Sequence, residues 1–309
     1  MHPSSPFHAV HPFHRTAASL VLAIFACAAN AQSTPAPSTF DKIKATGAVV
    51  LGVREASAPM AYALGAQDKF VGYHVELCEH VLKEIAPGAR FDYKVLTAQN
   101  TMSLVQNGTV DIGCGPTTNN LTRQQQVAFA LTSYVSQVRM AVRADSGITS
   151  FEQLAGRNVA ASTGTTAVQL LRNYAKMKNI EIPTVLGKDH FDSFLMLESG
   201  RADAFVLDDN LLAGLIANGR NPTGYRIVGE ALASEPIALL FRKDDPAFKK
   251  AVDDSLRRFM LSGEAARLYA KWFMSPIPPK NANLNLPMSE TLQQLFREPN
   301  DKPLESYAK

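Results

Sequence analysis

Hydrophobic and polar positions along this chain alternate between two periods. Ala48 to Val53 is an apolar run of strand length, whereas Tyr73 to Ile85 carries Val75, Cys78, Val81, Leu82 and Ile85 on one face at helical spacing. A strand over Phe91 to Leu96 follows. A helix over Met102 to Gln106 then stops at Asn107 and Gly108, and a strand over Val110 to Cys114 comes next.

From about residue 150 the same grammar returns. It predicts a helix over Phe151 to Leu154, a strand over Arg157 to Ala161, a Gly/Thr turn, a helix over Ala167 to Met177 and a strand over Pro183 to Leu186. Short strands joined by helical crossovers predict open α/β sheets. Leu104 to Asp111 is echoed by Leu197 to Asp203: in each, a helix ends at glycine and a strand leads to a polar loop. The echo predicts two lobes of like topology rather than one sheet. Open α/β sheets bind ligands beyond the carboxyl ends of their strands, so two such edges facing each other make a cleft.

Ahead of these units, Arg15 precedes the uncharged run Thr16 to Ala29, and small residues flank Asn30 at its end. This is the pattern of a signal peptide over residues 1–31, cleaved after Ala31, with a Pro/Ser/Thr-rich linker over residues 32–39. Lipid attachment at Cys27, in the loose lipobox Ile24 to Cys27, is the rival outcome. The leader carries away His2, His8, His11 and His14, so the His-rich start predicts no metal site. No later segment offers the roughly 20 apolar residues of a spanning helix. An exported, soluble protein is expected.

At 309 residues, with 46% hydrophobic and 19% charged residues, the composition is that of a folded globular protein with room for two domains, and it excludes a disordered or fibrous chain. A net charge of +3 is too small to suggest nucleic acid as a partner. Cys78 and Cys114 enter an oxidising compartment, where they either form a bridge or remain as buried apolar thiols; the sequence leaves both open.

The residues that follow the predicted strands carry the chemistry. They are Arg54 and Glu55, Thr117 to Asn120 with Arg123, Ser162 to Thr166, Asp189 and His190, and Asp208 and Asp209. The turn from Ser162 to Thr166, between a strand and a helix, offers hydroxyls and free N–H groups to a small carboxylate. Arg54 and Arg123 present planar forks for carboxylates, and Asp208 an acceptor for an ammonium. Each has an ordinary alternative as a loop residue or a helix cap; their coincidence at successive strand ends predicts a receptor for a zwitterion. A phosphate loop and a complete dinucleotide fingerprint are both absent, so no cofactor is expected. A nucleophile elbow is missing too, and His74, Cys78 and His80 diverge around their helix, which favours core and surface roles over metal binding.

Several motifs together carry a family resemblance. Gly52 to Ser57, Gln106 to Asn120 with Arg123, Thr163 to Thr166, Lys188 to Phe194, Leu197 to Ala202, Asp208 to Gly214, Arg242 to Pro246 and Lys271 to Lys280 follow one another along the chain. In that order they resemble the periplasmic amino-acid-binding proteins of ABC importers, in the glutamate/aspartate branch.

The resemblance implies an α/β type II periplasmic binding protein fold whose chain crosses between lobes near Tyr134 to Ser136 and Ser234 to Pro236. Lobe 1 would then comprise residues 40–135 and 236–309, and lobe 2 residues 136–235. It implies that Arg123, Thr118 and Thr166 hold the ligand's α-carboxylate, and Thr101 and Thr165 are also expected among the ligand-binding residues. Asp208 and the Pro116 carbonyl would hold its ammonium, and Arg54 and His190 would read a side-chain carboxylate. The chain departs from the branch at Ala98 and Thr101, where Ser and Arg are usual, at Pro116 for Ser and at Met60 for Phe. One cationic fork is therefore absent. Glutamate or aspartate remains the favoured ligand, with a neutral polar or larger amino acid in the space at Thr101 as the alternative. A monomer that delivers its ligand to a membrane permease is expected. The rival from another class is a dehydratase on this fold, for which Glu55 or Asp189 would be the acid.

Overall fold

The computed structural model describes residues 37–65 and 69–307. The signal peptide, its cleavage after Ala31, the lipidation alternative at Cys27 and most of the linker lie outside the described residues. Among the described residues, no helix is long and apolar enough to cross a membrane.

Two sheets are built to one plan. In the first, strands run in the order Arg90–Val95, Ala48–Val53, Ile112–Gly113, Leu240–Arg242, Val127–Phe129. In the second the order is Thr184–Gly187, Val159–Ser162, Ala204–Asp208, Tyr134–Arg143, Tyr225–Val228. In each sheet the first three strands are parallel, the fourth runs antiparallel to them, and the fifth pairs antiparallel with the fourth. The fourth place in each sheet is taken by a strand on or just after a crossing segment, so each sheet is completed by chain arriving from the other. Where the crossings lie side by side, Tyr134–Arg143 pairs antiparallel with Ser234–Ile237, with Ser136 opposite Glu235. This is the type II periplasmic binding protein fold, two α/β lobes joined by two crossover strands.

Burial follows the sequence pattern. Val49, Leu51, Val53, Ile112 and Phe241 are sealed in the first sheet's core against Leu77, Val81, Phe248 and Leu256 of its helices. Val138, Met140, Val159 and Val206 form a core with Leu154 and Leu171 in the second. At about 25 cal/mol per Å² of apolar surface removed from water, such cores supply the main drive to fold. The C-terminal segment closes on the first lobe, where Thr132 N–H donates to Asn300 O and Leu304 N–H to Asn119 O.

Helix Tyr73–Ile85 and strand Ala48–Val53 match their expected bounds. The strand expected over Val110 to Cys114 pairs only at Ile112–Gly113. Asp111 explains part of the shortening: its buried carboxylate accepts from Val50 N–H at 2.8 Å and from Lys42 at 2.7 Å, so a side chain stands in for ladder bonding. Phe151–Leu154 is a single 3₁₀ turn closed by a reciprocal Ser150 and Gln153 capping box. Cys78 and Cys114 are disulfide-bonded, their Cα atoms 6.0 Å apart. The bridge ties the helix to the strand end that leads into Pro116 to Thr118. His74 is buried between Gly115 O and Ser133 Oγ, and His80 packs on the Phe259 ring, so neither is placed as a metal ligand with Cys78.

Candidate functional site

Parallel strands deliver the candidate residues at their carboxyl ends. Arg54 follows Ala48–Val53, and Pro116 to Thr118 follow Ile112–Gly113. On the second sheet Ser162 and Asp208 end their strands, and His190 opens the helix His190–Glu198. Arg54, Pro116, Thr118, Arg123, Thr165, Thr166, His190 and Asp208 line one hollow between the lobes, together with Ala98 and Met102. Thr101 stands just behind it as a hydrogen-bond partner of Arg54. All nine candidate residues therefore gather at one place, from segments far apart in sequence. Met60, by contrast, is fully buried in the first lobe's core.

Arg54 is 6% exposed. Its Nη2 donates to Thr101 Oγ1 at 2.8 Å, and its Nε, sealed from solvent, has no partner among the described residues. Burial lowers its pKa to about 9, and the Arg123 charge adds to the effect. Gly115 makes this position reachable, since a Cβ there would stand 2.9 Å from Arg54 Nε. A buried guanidinium with an unused donor is costly unless an anion meets it.

His190 lies against the same end. Its Nδ1 bonds Ser162 Oγ at 2.8 Å, and burial with the nearby Arg54 charge lowers its pKa to about 3. With its pKa lowered in this way, the ring lines the hollow without adding charge.

Arg123 spans the cleft. Asn120 caps the short helix that carries it, its Oδ1 accepting from Arg123 N–H at 2.9 Å. Nη1 donates to Thr118 O at 3.0 Å and Nη2 to Gly164 O of the second lobe at 3.3 Å. Burial lowers its pKa, with Glu235 and Asp208 opposing that shift.

Donors for a carboxylate converge near it. Thr165 is the N-cap of helix Thr166–Lys178, but its hydroxyl donates to Ser162 O at 2.7 Å and leaves the first-turn N–H groups without a side-chain cap. Thr118 bridges Ile237, and the bridge's hydrogen bonds run through Asn119 N–H to Pro236 O and Ala238 N–H to Thr117 O. The Thr118 N–H points out of that pairing.

Asp208 lies opposite, its Oδ1 accepting from Ser136 Oγ. Burial and then the Glu235 charge raise its pKa to about 7. Glu235 is a member of this group that the sequence did not suggest. It is fully buried on the returning crossover strand, where its Oε2 accepts from Thr118 and Thr166. The available signal was a lone carboxylate at the head of the apolar run Pro236 to Phe241.

Two arginines and Asp208 thus line one hollow, with Glu235 hydrogen-bonded to Thr118 and Thr166 of its lining. The family model for bacterial extracellular solute-binding proteins, family 3, matches residues 49–275. The chain belongs to that family. This solute-binding protein is 40% identical over 299 residues to the glutamate/aspartate import solute-binding protein of Escherichia coli (strain K12), covering 94% of the chain and 99% of that relative. It is 42% identical over 272 residues to the L-glutamate/L-aspartate-binding protein of Pseudomonas aeruginosa, covering 86% of the chain and 90% of the relative. Among solved structures it resembles the P235GK mutant of ArgBP from T. maritima, with 25% identity and a TM-score of 0.69, over 76% of this chain and 98% of that one.

Proposed function

We propose that this solute-binding protein captures a free acidic amino acid, glutamate or aspartate, in the bacterial periplasm and delivers it to the membrane permease of an ABC importer. The observation that carries the reading is Arg54, a buried guanidinium with an unused Nε donor, in the same hollow as Arg123 and Asp208. A zwitterion with a second carboxylate supplies one partner to each. The names of the relatives from Escherichia coli and Pseudomonas aeruginosa support the same ligands.

In this reading the α-carboxylate meets Arg123 and the N–H groups of Thr118 and Thr166, at a helix N-terminus whose dipole favours an anion. Asp208 and the Pro116 carbonyl receive the ammonium. Arg54, braced by Thr101, receives the side-chain carboxylate beside neutral His190. Lobe 1 comprises residues 40–135 and 236–309, and lobe 2 residues 136–235. Rotation about the crossover strands opens and closes the cleft, and closure excludes water and strengthens each ion pair. Micromolar affinity needs about 8 kcal/mol, which several charge-assisted contacts supply after ordering costs. The mature chain begins after Ala31 and acts as a monomer. Catalysis has less support: Glu55 is exposed, and the Asp189 carboxylate is engaged as a helix cap, accepting from Asp192 N–H at 2.8 Å.

A larger amino acid is the second reading. Arg54, Ala98 and His190 also line an adjoining space bounded by Ser57, Thr97, Thr163 and Lys188, where a longer side chain would extend. Calorimetry of refolded, ligand-free protein with the twenty amino acids tests the proposal. Tightest binding of glutamate or aspartate is expected, and a preference for a neutral or basic amino acid would overturn the ligand class.

A further inference from the structure

Glu235 touches both lobes from the strand that joins them. Its Oε2 accepts the hydroxyl proton of Thr118 at 2.7 Å and that of Thr166 at 2.9 Å, one residue from each lobe. A threonine hydroxyl has a single proton to donate. Once that proton is committed to Glu235, the oxygen meets a ligand only through its lone pairs. Two hydroxyl acceptors near Asp208 make a seat for an ammonium and a poor one for a carboxylate.

The placement of Glu235 is built rather than incidental. It pairs with Ser136 across the crossover strands, and in antiparallel pairs such residues project from one face. Ser136 in turn donates to Asp208. The two crossings thus carry one polar group each to the same end of the cleft. Glu235 Oε1 is sealed from solvent and has no partner among the described residues.

We propose that Glu235 is a positioning residue for the ligand's α-ammonium: it fixes the Thr118 and Thr166 hydroxyls as acceptors and couples the two lobes through that seat. The inference rests on the amino-acid-binding reading, and adds to it a residue and a polarity for two hydroxyls. Charge balance fits. Arg123 faces the Asp208 and Glu235 carboxylates, Asp209 stands beside them, and Arg54 with neutral His190 lies at the far end, so an ammonium brings positive charge where carboxylates are in excess. Burial raises the pKa of Glu235, as expected for a carboxylate awaiting a cation.

The test compares each amino acid with its analogue lacking the amino group. Refolded wild-type protein and Glu235→Gln are titrated with L-glutamate, and with glutarate by competition, alongside thermal melting. The variant removes the carboxylate's charge, and its amide N–H end can compete with the ammonium for the hydroxyl lone pairs. Affinity for L-glutamate is expected to fall about tenfold to hundredfold while that for glutarate stays within about threefold. Equal losses for the two ligands, or no loss, would overturn the inference. If Glu235→Gln does not fold, Thr118→Val and Thr166→Val are to show the same selective loss, and equal losses there overturn it as well. If wild type prefers another amino acid, the acidic-ligand reading fails, and the comparison is made with that amino acid and its own des-amino analogue. A wild type that binds no amino acid overturns both.

Discussion

Arg54 and Thr101 form a chain of hydrogen bonds in which Nη2 donates to Oγ1 at 2.8 Å and the Thr101 hydroxyl donates in turn to Thr97 O at 2.6 Å. The threonine braces the buried guanidinium that, in the proposed function, reads the side-chain carboxylate. Replacing Arg54 by Gln should therefore weaken glutamate and aspartate by about tenfold to hundredfold, the worth of a charge-assisted contact, while sparing neutral amino acids. Arg123→Ala should abolish binding of all of them. Calorimetry on the two variants separates these outcomes, and small equal effects would contradict the assignment.

The Cys78–Cys114 bridge has a sequence separation of 36. In the chain-entropy model a loop of this size is worth roughly 3 to 4 kcal/mol. Both sulfurs are buried, so the bridge should resist mild reductant in the folded protein. The Cys78→Ala, Cys114→Ala double variant should unfold at lower urea concentration by about that free energy. A midpoint that does not move would show that the pairing adds nothing to stability.

Stability should fall on acidification because of buried histidines. His74 donates through Nδ1 to Gly115 O at 3.0 Å and accepts through Nε2 from Ser133, so the neutral ring satisfies both contacts. Burial lowers its pKa from 6.5 to about 4. The unfolded chain takes its proton below about 6.5 and the folded one only near 4, so stability drops between those values by up to about 1.4 kcal/mol per pH unit. His190, lowered to about 3, acts in the same direction. Asp208, raised to about 7, opposes them, since the folded state keeps a proton that the unfolded chain has released. Urea titrations of wild type and His74→Gln across this range should differ by one proton in slope, and parallel curves would refute the neutral His74.

Ligand binding should release a proton. Asp208, with Glu235 and Asp209 beside it and Arg123 facing it, is raised to about 7 by burial and by the Glu235 charge. An ammonium seated there favours the ionised pair and displaces the proton. Affinity for L-glutamate should accordingly weaken as the pH falls below about 7, by up to about tenfold per unit. Calorimetry in two buffers of different ionisation enthalpy measures the proton count directly. An apparent enthalpy independent of buffer would exclude the linkage.

Arg54 and Asp208 were legible in the sequence because each is a charge that interrupts an apolar strand at its end, where the sheet rules place ligands. The bounds of Tyr73–Ile85 were legible for a similar reason, since its apolar face is regular. Glu235 was not. Its neighbours carry no period that distinguishes a buried crossover from a loop, and its partners Thr118 and Thr166 lie on different lobes that only the crossing strands bring together. The same limit applied to Asp111, whose carboxylate replaces strand pairing through contacts no local pattern records. Charges at the ends of elements could be read one by one, whereas hydrogen bonds between lobes depend on the assembled fold.

Closure should depend on a glycine at the lobe boundary. Gly164 has φ +83, and a Cβ added there would stand 2.7 Å from the Gln99 backbone of the opposite lobe. Its carbonyl also accepts from Arg123 Nη2 at 3.3 Å. Gly164→Ala adds both a strained backbone conformation, of order 1–3 kcal/mol, and a clash that arises only when the lobes meet. The open form relieves the clash by separating the lobes and retains its fold. The expected result is at least about a tenfold loss of affinity for every amino acid, with small-angle scattering showing a more extended particle at saturating ligand. An affinity equal to wild type would mean that the lobes do not approach this closely when the ligand is held.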